Sequence, residues 1–527
     1  MSNGAAREGA PPLVTSRPPW LAAAVAAGVV LACALWSITP DPVGVFWDDG
    51  VYLLTAKALA AGKGYVYTHL PGTPPAIHYP PAYPLVLAAL LKVTPTFPDN
   101  VALLKVLNPL LLAVGVFGTV RLLARSAGLD QSPTAVAVTV CALIAPVLVL
   151  TNVLFSESLF FAVLVLALWV IDRGVDEGGL RLALAAGFLI AALALVRTVG
   201  GVLLPAACLV LWRRGRRREA GIAAGAAIVF LAPWQLWVWQ ASRDFPSELR
   251  GYYGPYLDWV IAGYRRDPAF AWEVLRHNVA DLWRAFGVIF APRQPALVQA
   301  VAALTTVTML SAGLWALWRR QRALAAFIPL YGVVVLLWPY NPERFTWAIW
   351  PLAGLVLAAS VPSLGTALAG RWRHAPRAAA ALALLLFIGQ GGYAVRGLVE
   401  GWAGAPQAAM TRRLWPLVEW TVTHSAPSDV VASDAHVMIA LYTGRAAVPV
   451  CFLTPEEHVR AKPLPQRTAE LAAVMARYRP PLLVLSQVAP ELDAVPWWAA
   501  MPGAPAVTAL APVPGGGAAF ALRERPQ

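Results

Sequence analysis

The sequence predicts a polytopic α-helical membrane protein with a small soluble α/β domain at its C-terminus. Of the 527 residues, 58% are hydrophobic and 13% are charged, a balance that ordinary soluble domains do not reach. About eleven apolar stretches approach the roughly 20 residues needed to cross a hydrocarbon core. They run approximately 20–38, 101–123, 133–151, 154–172, 180–196, 199–213, 220–240, 296–318, 323–339, 345–362 and 377–398. Beyond about residue 400 the spanning runs stop and Pro and charge rise, which places a domain boundary between 1–399 and 400–527.

The first stretch follows Arg7 and Arg17 in the manner of a signal peptide. Its apolar run is long and lacks a clear small-residue cleavage site, so a retained helix is expected. Cys33, Cys141 and Cys208 fall in apolar stretches and Cys451 stands alone in the C-terminal region, so no disulfide framework is expected.

Arginine placement sets the expected orientation. With Arg7 and Arg17 cytoplasmic, the loops with Arg121 and Arg125, Arg173 and Arg181, the run at 212–218, Arg319 to Arg322, and Arg371 to Arg377 all fall on the same side. Eleven crossings then put the C-terminal domain outside, with outer loops at 39–100, 243–295 and 340–344. The net charge of +13 is read as a topology signal. Its scatter over many loops excludes a nucleic-acid groove.

In the first outer loop, Val51, Leu54, Ala58 and Leu59 predict a helix over 48–61, ended by Gly62 and Gly64. His78-Tyr79-Pro80-Pro81-Ala82-Tyr83-Pro84 precedes an apolar run at 85–93, too short to span, which predicts a surface or re-entrant segment. The Tyr-, Trp- and Arg-rich loop 243–295 predicts interfacial amphipathic helices, and Trp234, Trp237 and Trp239 an aromatic belt. The tail predicts helices at 408–424, 435–443 and 466–478 alternating with strands at 429–434, 446–452 and 481–486, an α/β pattern. Gly515-Gly516-Gly517 reads as a turn.

The chemistry-bearing residues lie on the expected outer face. Asp48 and Asp49 begin the first-loop helix. A like-charged neighbour and partial desolvation raise a carboxyl pKa, which suits Asp48 to act as a base, while capping of a surface helix is the plain alternative. Glu157, in Ser156-Glu157-Ser158, opens the fourth stretch, either as part of a site or as a capping acid. Arg344 and Arg197 stand at outer helix ends against the arginine bias, and guanidinium groups bind phosphate oxygens bidentately. Arg344 is read as a donor-phosphate ligand, with Glu343 as an alternative structural partner, and Arg197 as a phosphate ligand or a snorkelling side chain. Lys57, nine residues beyond Asp48, is a further phosphate candidate that could instead meet lipid head groups. His78, more than His69, is a candidate substrate contact.

Several ordered motifs carry a resemblance. These are Asp48-Asp49 with Tyr52 and Ala56-Lys57-Ala58-Leu59, Tyr79-Pro80-Pro81 with Tyr83-Pro84, Ser156-Glu157-Ser158-Leu159-Phe160, Glu343-Arg344-Phe345, and in the tail Ser433-Asp434 and Tyr442-Thr443-Gly444-Arg445. Together they are similar to bacterial relatives of protein O-mannosyltransferases and lipid A aminoarabinose transferases, which are glycosyltransferases of the GT-C class. The resemblance implies a multi-pass enzyme of the bacterial plasma membrane. Such an enzyme passes a sugar from a polyprenyl-phosphate donor to a glycan, lipid or protein acceptor outside the cytoplasm. It maps the catalytic carboxylate to Asp48, with Asp49 where a Glu is commoner, and draws Tyr52, His78 and Tyr79 into the substrate contacts. The aminoarabinose transferases usually have an acidic residue and Lys before the two prolines, where this chain has His78 and Tyr79. No cofactor is called for; the outer acids could bind a divalent cation, though no dedicated ligand spacing is present. A lipid-linked sugar flippase or transporter and a non-catalytic envelope scaffold are the competing readings. The first predicts ionisable residues at helix midpoints and duplicated halves, and neither is evident.

Overall fold

The computed structural model describes residues 18, 20–369 and 372–523; Arg7, Arg17 and Arg371 of the orientation argument lie outside them. Each of the apolar stretches lies on a helix or on a pair of helices meeting at a bend. By length and composition, five helices among the described residues can cross a membrane: Val101–Ser126, Glu157–Glu177, Arg217–Ala241, Ala296–Arg319 and Ala375–Val399. Two bent pairs raise the number to seven. Gln131–Ala142 turns 66° into Ala145–Asn152, where Pro146 stands in the first turn of the second helix. Pro342–Ala348 turns 68° into the helix that begins at Trp350. Leu21–Trp36, Leu180–Val196, Thr198–Arg213 and Ala323–Leu336 are apolar but shorter.

Helix Glu157–Glu177 runs through the middle of this bundle and buries Phe160, Phe161, Leu164 and Leu168 completely or nearly so. Its close fit against Val101–Gly118 depends on Gly115, where a Cβ would collide with the Phe161 ring. In a helix apolar enough to cross a membrane such burial stabilises through close packing and not through release from water, and that packing makes the start of this helix a firm platform for Glu157.

The first loop contains the expected helix, Asp48–Ala60, followed by Gly62 and Gly64 at positive φ. The short apolar run is helix Ala82–Val93, which packs on Asp48–Ala60 and buries Tyr83, Leu87 and Leu91 while leaving Leu85 and Val93 exposed. The second loop holds helices Arg250–Tyr253, Tyr256–Arg266 and Ala269–Phe290.

The C-terminal region forms a five-stranded sheet from β1 (Val430–Ser433), β2 (Ala446–Val448), β3 (Leu482–Leu485), β4 (Ala506–Ala509) and β5 (Ala518–Arg523), in the order β2-β1-β3-β5-β4. The pairs β1–β2 and β1–β3 are parallel, and β5 is antiparallel to β3 and β4. Helices Ala405–His424, His436–Thr443 and Leu464–Tyr478 accompany the parallel strands β1, β2 and β3 at nearly the positions read from the pattern. The two Ala-rich strands β4 and β5 escaped that reading. Between them Gly515-Gly516-Gly517 does form a turn, closed by a bridge from Val513 to Gly517.

The sheet shares a core with the first loop. Val437, Leu441 and Val448 pack in one buried cluster with Val43, Val51, Leu54 and Tyr253. The Ala447 N–H donates to the His69 carbonyl at 2.9 Å, and Val43 N–H donates to the Tyr442 hydroxyl at 3.0 Å.

Candidate active site

The site is assembled where four helix ends meet: the starts of Asp48–Ala60, Glu157–Glu177 and Pro342–Ala348, and the end of Leu180–Val196 at Arg197. Local sequence sets each of these ends. Pro342 opens its helix, and the Asn341 side chain caps it by accepting from the Glu343 and Arg344 N–H groups at 2.9 and 3.4 Å.

The turn into Asp48 is strained. Trp47 has φ 67° and ψ −60°, and the Asp48 N–H donates to the Phe46 carbonyl at 2.8 Å, which makes a γ-turn of the rare positive-φ kind. A bulky residue holds this conformation only when its surroundings impose it. Here the Trp47 indole sits among Tyr252, Tyr253, His78 and Tyr79, and its Nε1–H donates to His436 Nε2 at 3.4 Å. Asp49 completes the turn, its carboxylate accepting from Gly44 N–H at 2.6 Å and Phe46 N–H at 3.1 Å. Gly50 must be glycine, since a Cβ there would collide with Val437 of the C-terminal region. The two carboxylates are thereby separated: Asp49 is fully buried in the loop, and Asp48 turns to a cavity.

Asp48 is the first member of an ionic chain. Tyr79 OH donates to its Oδ1, and Arg344 Nη1 lies 2.5 Å from its Oδ2. Arg344 Nε donates to Glu157 Oε1 at 2.6 Å, and Arg197 Nη1 meets the same oxygen at 2.7 Å. Tyr52 OH and Arg197 Nη1 both reach Ser156 Oγ, at 3.1 and 3.3 Å. Phe155 lies under the Arg344 guanidinium at 3.8 Å and Phe345 under that of Arg197 at 5.1 Å. Glu157 is 1% exposed, yet its Oε2 and Arg344 Nη2 are buried without a hydrogen-bond partner. Unpaired buried atoms of this kind are uncommon and costly.

The nearby acids and bases titrate as their burial dictates. Burial pushes Asp49 up to about 6, against the pull of its two backbone N–H groups. Burial, aided by the Asp48 charge, pushes Tyr79 well above the usual phenol range, so it remains a donor to Asp48. His78 is pushed down to about 4 by burial and is neutral. Its Nδ1–H donates to the Gly254 carbonyl at 2.7 Å, which leaves Nε2 as the ring's acceptor.

His436 is pushed down to about 3 by burial, against about 6.5 when unfolded. Below about pH 6.5 the unfolded chain therefore takes up a proton that the folded protein refuses, and stability falls as pH drops. Between pH 7 and pH 5, His436→Gln is expected to lose about 2 kcal/mol less stability than the wild type. Asp49 acts in the opposite sense in both proteins and cancels in the comparison. Thermal melting at the two pH values checks this; equal losses would show that His436 does not resist protonation.

The cavity has a volume of about 660 Å³. Asp48, Arg344, Arg197, Tyr52, His78 and Tyr79 all line it, and Val196, Val199, Val202, Pro205 and Val334 line its apolar part. Of the sequence candidates, Lys57 lies apart, near the far end of its helix over the Phe97 ring at 4.5 Å. His69 is buried and bonds through Nε2 to Tyr253 OH at 2.8 Å. Tyr253 OH in turn lies 2.8 Å from His436 Nε2. Glu343 lies outside the ionic chain, and the carboxylate that pairs with Arg344 Nε is that of Glu157. Among the described residues, no group of three or more His, Cys, Asp or Glu side chains is placed to hold a metal ion.

The tail motifs are joints. Asp434 accepts from the Ser486 N–H at 2.9 Å and from its hydroxyl at 2.5 Å. Arg445 donates to the carbonyls of Val422, Ser425 and Ala426 in and just beyond the last turn of helix Ala405–His424. Sequence reasoning missed Tyr256, Trp338 and Tyr340, which line the cavity, and the Trp47–His436 contact. A signal for the first three existed in the aromatic density of 252–259 and 338–340.

No protein-family model and no curated protein matches the sequence. The structure, by contrast, matches ArnT from Cupriavidus metallidurans bound to undecaprenyl phosphate, with a TM-score of 0.54 over 97% of this chain and 100% of that one, at 15% identity. It also matches the oligosaccharyltransferase from Archaeoglobus fulgidus, in a complex with zinc and sulfate, with a TM-score of 0.53 over 94% of this chain and 73% of that one, at 12% identity. The fold is that of the GT-C glycosyltransferases. In this chain the ionic network occupies the meeting point of the helical bundle and the 39–100 loop, and helix His436–Thr443 contacts Trp47 through His436.

Proposed function

We propose that the protein is a multi-pass membrane glycosyltransferase that takes a sugar from a polyprenyl-phosphate donor and places it on an acceptor hydroxyl at the outer membrane face. The observation that carries this reading is a cavity lined by a carboxylate and two guanidiniums, Asp48, Arg344 and Arg197, together with a set of valines and aromatic rings. A ligand with both a charged phosphate and a branched hydrocarbon chain suits that mixed lining. ArnT of the same fold was solved with undecaprenyl phosphate, which supports a donor of that class.

In this reading Arg344, with its spare Nη2, and Arg197 take the phosphate oxygens, and Glu157 holds both arginines in place. Phosphate competes with Asp48 for Arg344. Once released, Asp48 accepts the proton of the acceptor hydroxyl as that oxygen attacks the anomeric carbon. The bond from that carbon to the phosphate oxygen breaks, and the polyprenyl phosphate leaves with the electron pair while the arginines offset its charge. Asp49 positions Asp48, Tyr79 orients it, and Tyr52 and His78 face the sugar. Lys57, away from the cavity, is assigned to lipid head groups. About eleven spans, a cytoplasmic N-terminus and an exoplasmic C-terminal α/β domain belong to this proposal, as does the bacterial plasma membrane.

A single displacement inverts the anomeric centre. Incubating the purified protein with a panel of labelled polyprenyl-phosphate sugars should yield an inverted product and free polyprenyl phosphate. Retained configuration would sink the single displacement, and translocation of intact donor without transfer would favour a flippase.

A further inference from the structure

A second cavity, of about 470 Å³, adjoins the first and shares Trp259, Tyr340 and Leu453 with it. Its volume falls in the range of roughly 300–1,000 Å³ common for small-molecule sites. Three separate segments build it: helices Tyr256–Arg266 and Ala269–Phe290, the 339–343 turn, and the turn at Pro455–His458. It lies one residue from the ionic chain, because Glu343 lines it and Arg344 does not.

The polar groups of this cavity are of one chemical kind. Asp281, Glu343 and Glu457 are among the residues lining it, together with His277 and His458, while no Lys or Arg lines it. His277 Nε2 is 3.0 Å from Asp281 Oδ2. His458 Nε2–H donates to Asn278 Oδ1 at 2.7 Å, an assignment that follows because the Asn278 amide nitrogen donates to the carbonyls of Val335, Leu336 and Trp338. That leaves His458 Nδ1 as an acceptor, and burial, pushing the ring down to about 4, keeps it neutral. Trp259 is fixed by a 2.9 Å hydrogen bond from Nε1 to the Leu453 carbonyl. The cavity therefore offers carboxylate and imidazole acceptors beside two aromatic rings; the cations that pair with its carboxylates, Arg284 with Asp281 at 3.4 Å and Lys462 with Glu457 at 2.7 Å, stand outside its lining.

We infer that this second cavity binds the acceptor, and that the acceptor presents a neutral, hydroxyl-rich saccharide there. This rests on the glycosyltransferase reading above. Hydroxyl protons satisfy the carboxylates and the His458 acceptor, the rings cover the apolar faces of the sugar, and the shared wall at Tyr340 points its reactive hydroxyl toward Asp48. A phosphorylated or uronic acceptor would face Glu343 in the cavity wall, and would have to draw Arg284 and Lys462 away from Asp281 and Glu457, which they pair at 3.4 and 2.7 Å.

The test uses full-length protein in nanodiscs and a panel of neutral methyl disaccharides, with disaccharides ending in a uronic acid as the anionic counterparts. Binding is read by saturation-transfer NMR, so it does not depend on turnover. Neutral probes are expected to bind wild type and Asp48→Asn alike and to bind the double variant Asp281→Asn/Glu343→Gln at least 10-fold more weakly, with its melting temperature retained. Glu343→Lys should shift the preference toward the uronic probes, a gain that misfolding cannot produce. Failure of every neutral probe to bind wild type overturns the inference, as does equal binding of uronic probes or indifference to all these substitutions. Neutral binding accompanied by full transfer in Asp48→Asn supports the cavity and counts against the catalytic role of Asp48 alone.

Discussion

Asp48→Asn is expected to lower the transfer rate by about 10²- to 10⁴-fold, the contribution of a positioned general base, with little change in melting temperature. The amide keeps the size of the carboxylate and can still accept from Tyr79 OH and Arg344 Nη1 at its oxygen, so the ionic chain loses a charge but keeps its shape. It cannot take a proton from the acceptor. Donor affinity is expected to hold or tighten, since Arg344 no longer faces a competing anion. Rate and donor binding therefore part company, and a filter assay with labelled donor beside a single-turnover measurement separates them. Undiminished transfer by a folded Asp48→Asn protein would falsify the assignment of the base.

The second large effect belongs to Glu157→Leu. One Glu157 oxygen accepts from both arginines. Without it two guanidiniums, 13% and 11% exposed, are left with Asp48 as their single carboxylate. Breaking a buried ion pair in this way typically costs about 3–5 kcal/mol, because the remaining charge is stranded. The melting temperature in detergent should fall by several degrees, and donor affinity should fall with it. Glu157→Gln retains an acceptor oxygen and should lie between Glu157→Leu and the wild type. If Glu157→Leu melts like the wild type, the arginines do not depend on this carboxylate.

These two residues also show how far the sequence could be read. Asp48, Glu157 and Arg344 were recognisable because ionisable groups at the ends of apolar runs are conspicuous, and a shared face follows from counting crossings. The helical runs and the parallel strands β1 to β3 were legible for a related reason: their patterns are local properties of the chain. Asp49 was not separable from Asp48 in the same way. Adjacent residues look equivalent in a sequence, and what divides them is the strained γ-turn at Trp47, imposed by Tyr252, Tyr253 and His436 from distant segments. Strands β4 and β5 were hidden because Ala-rich segments carry weak strand preference and are ordered by pairing with β3. Lys57 shared a helix with Asp48, but at more than two turns along that helix it reaches a different neighbourhood.

The contact between Trp47 and His436 joins residues 389 positions apart. The base therefore lies near the beginning of the polypeptide and one of the groups that orient it near the end. A nascent protein emerging from the insertion machinery carries Asp48 long before it carries Arg344, and Arg344 before His436. On this arrangement the enzyme is assembled in an inert form and acquires activity only as its last quarter folds back onto its first. On the proposed function, synthesis that halts early leaves a fragment whose Asp48 lacks both Arg344 and the His436 contact behind its turn.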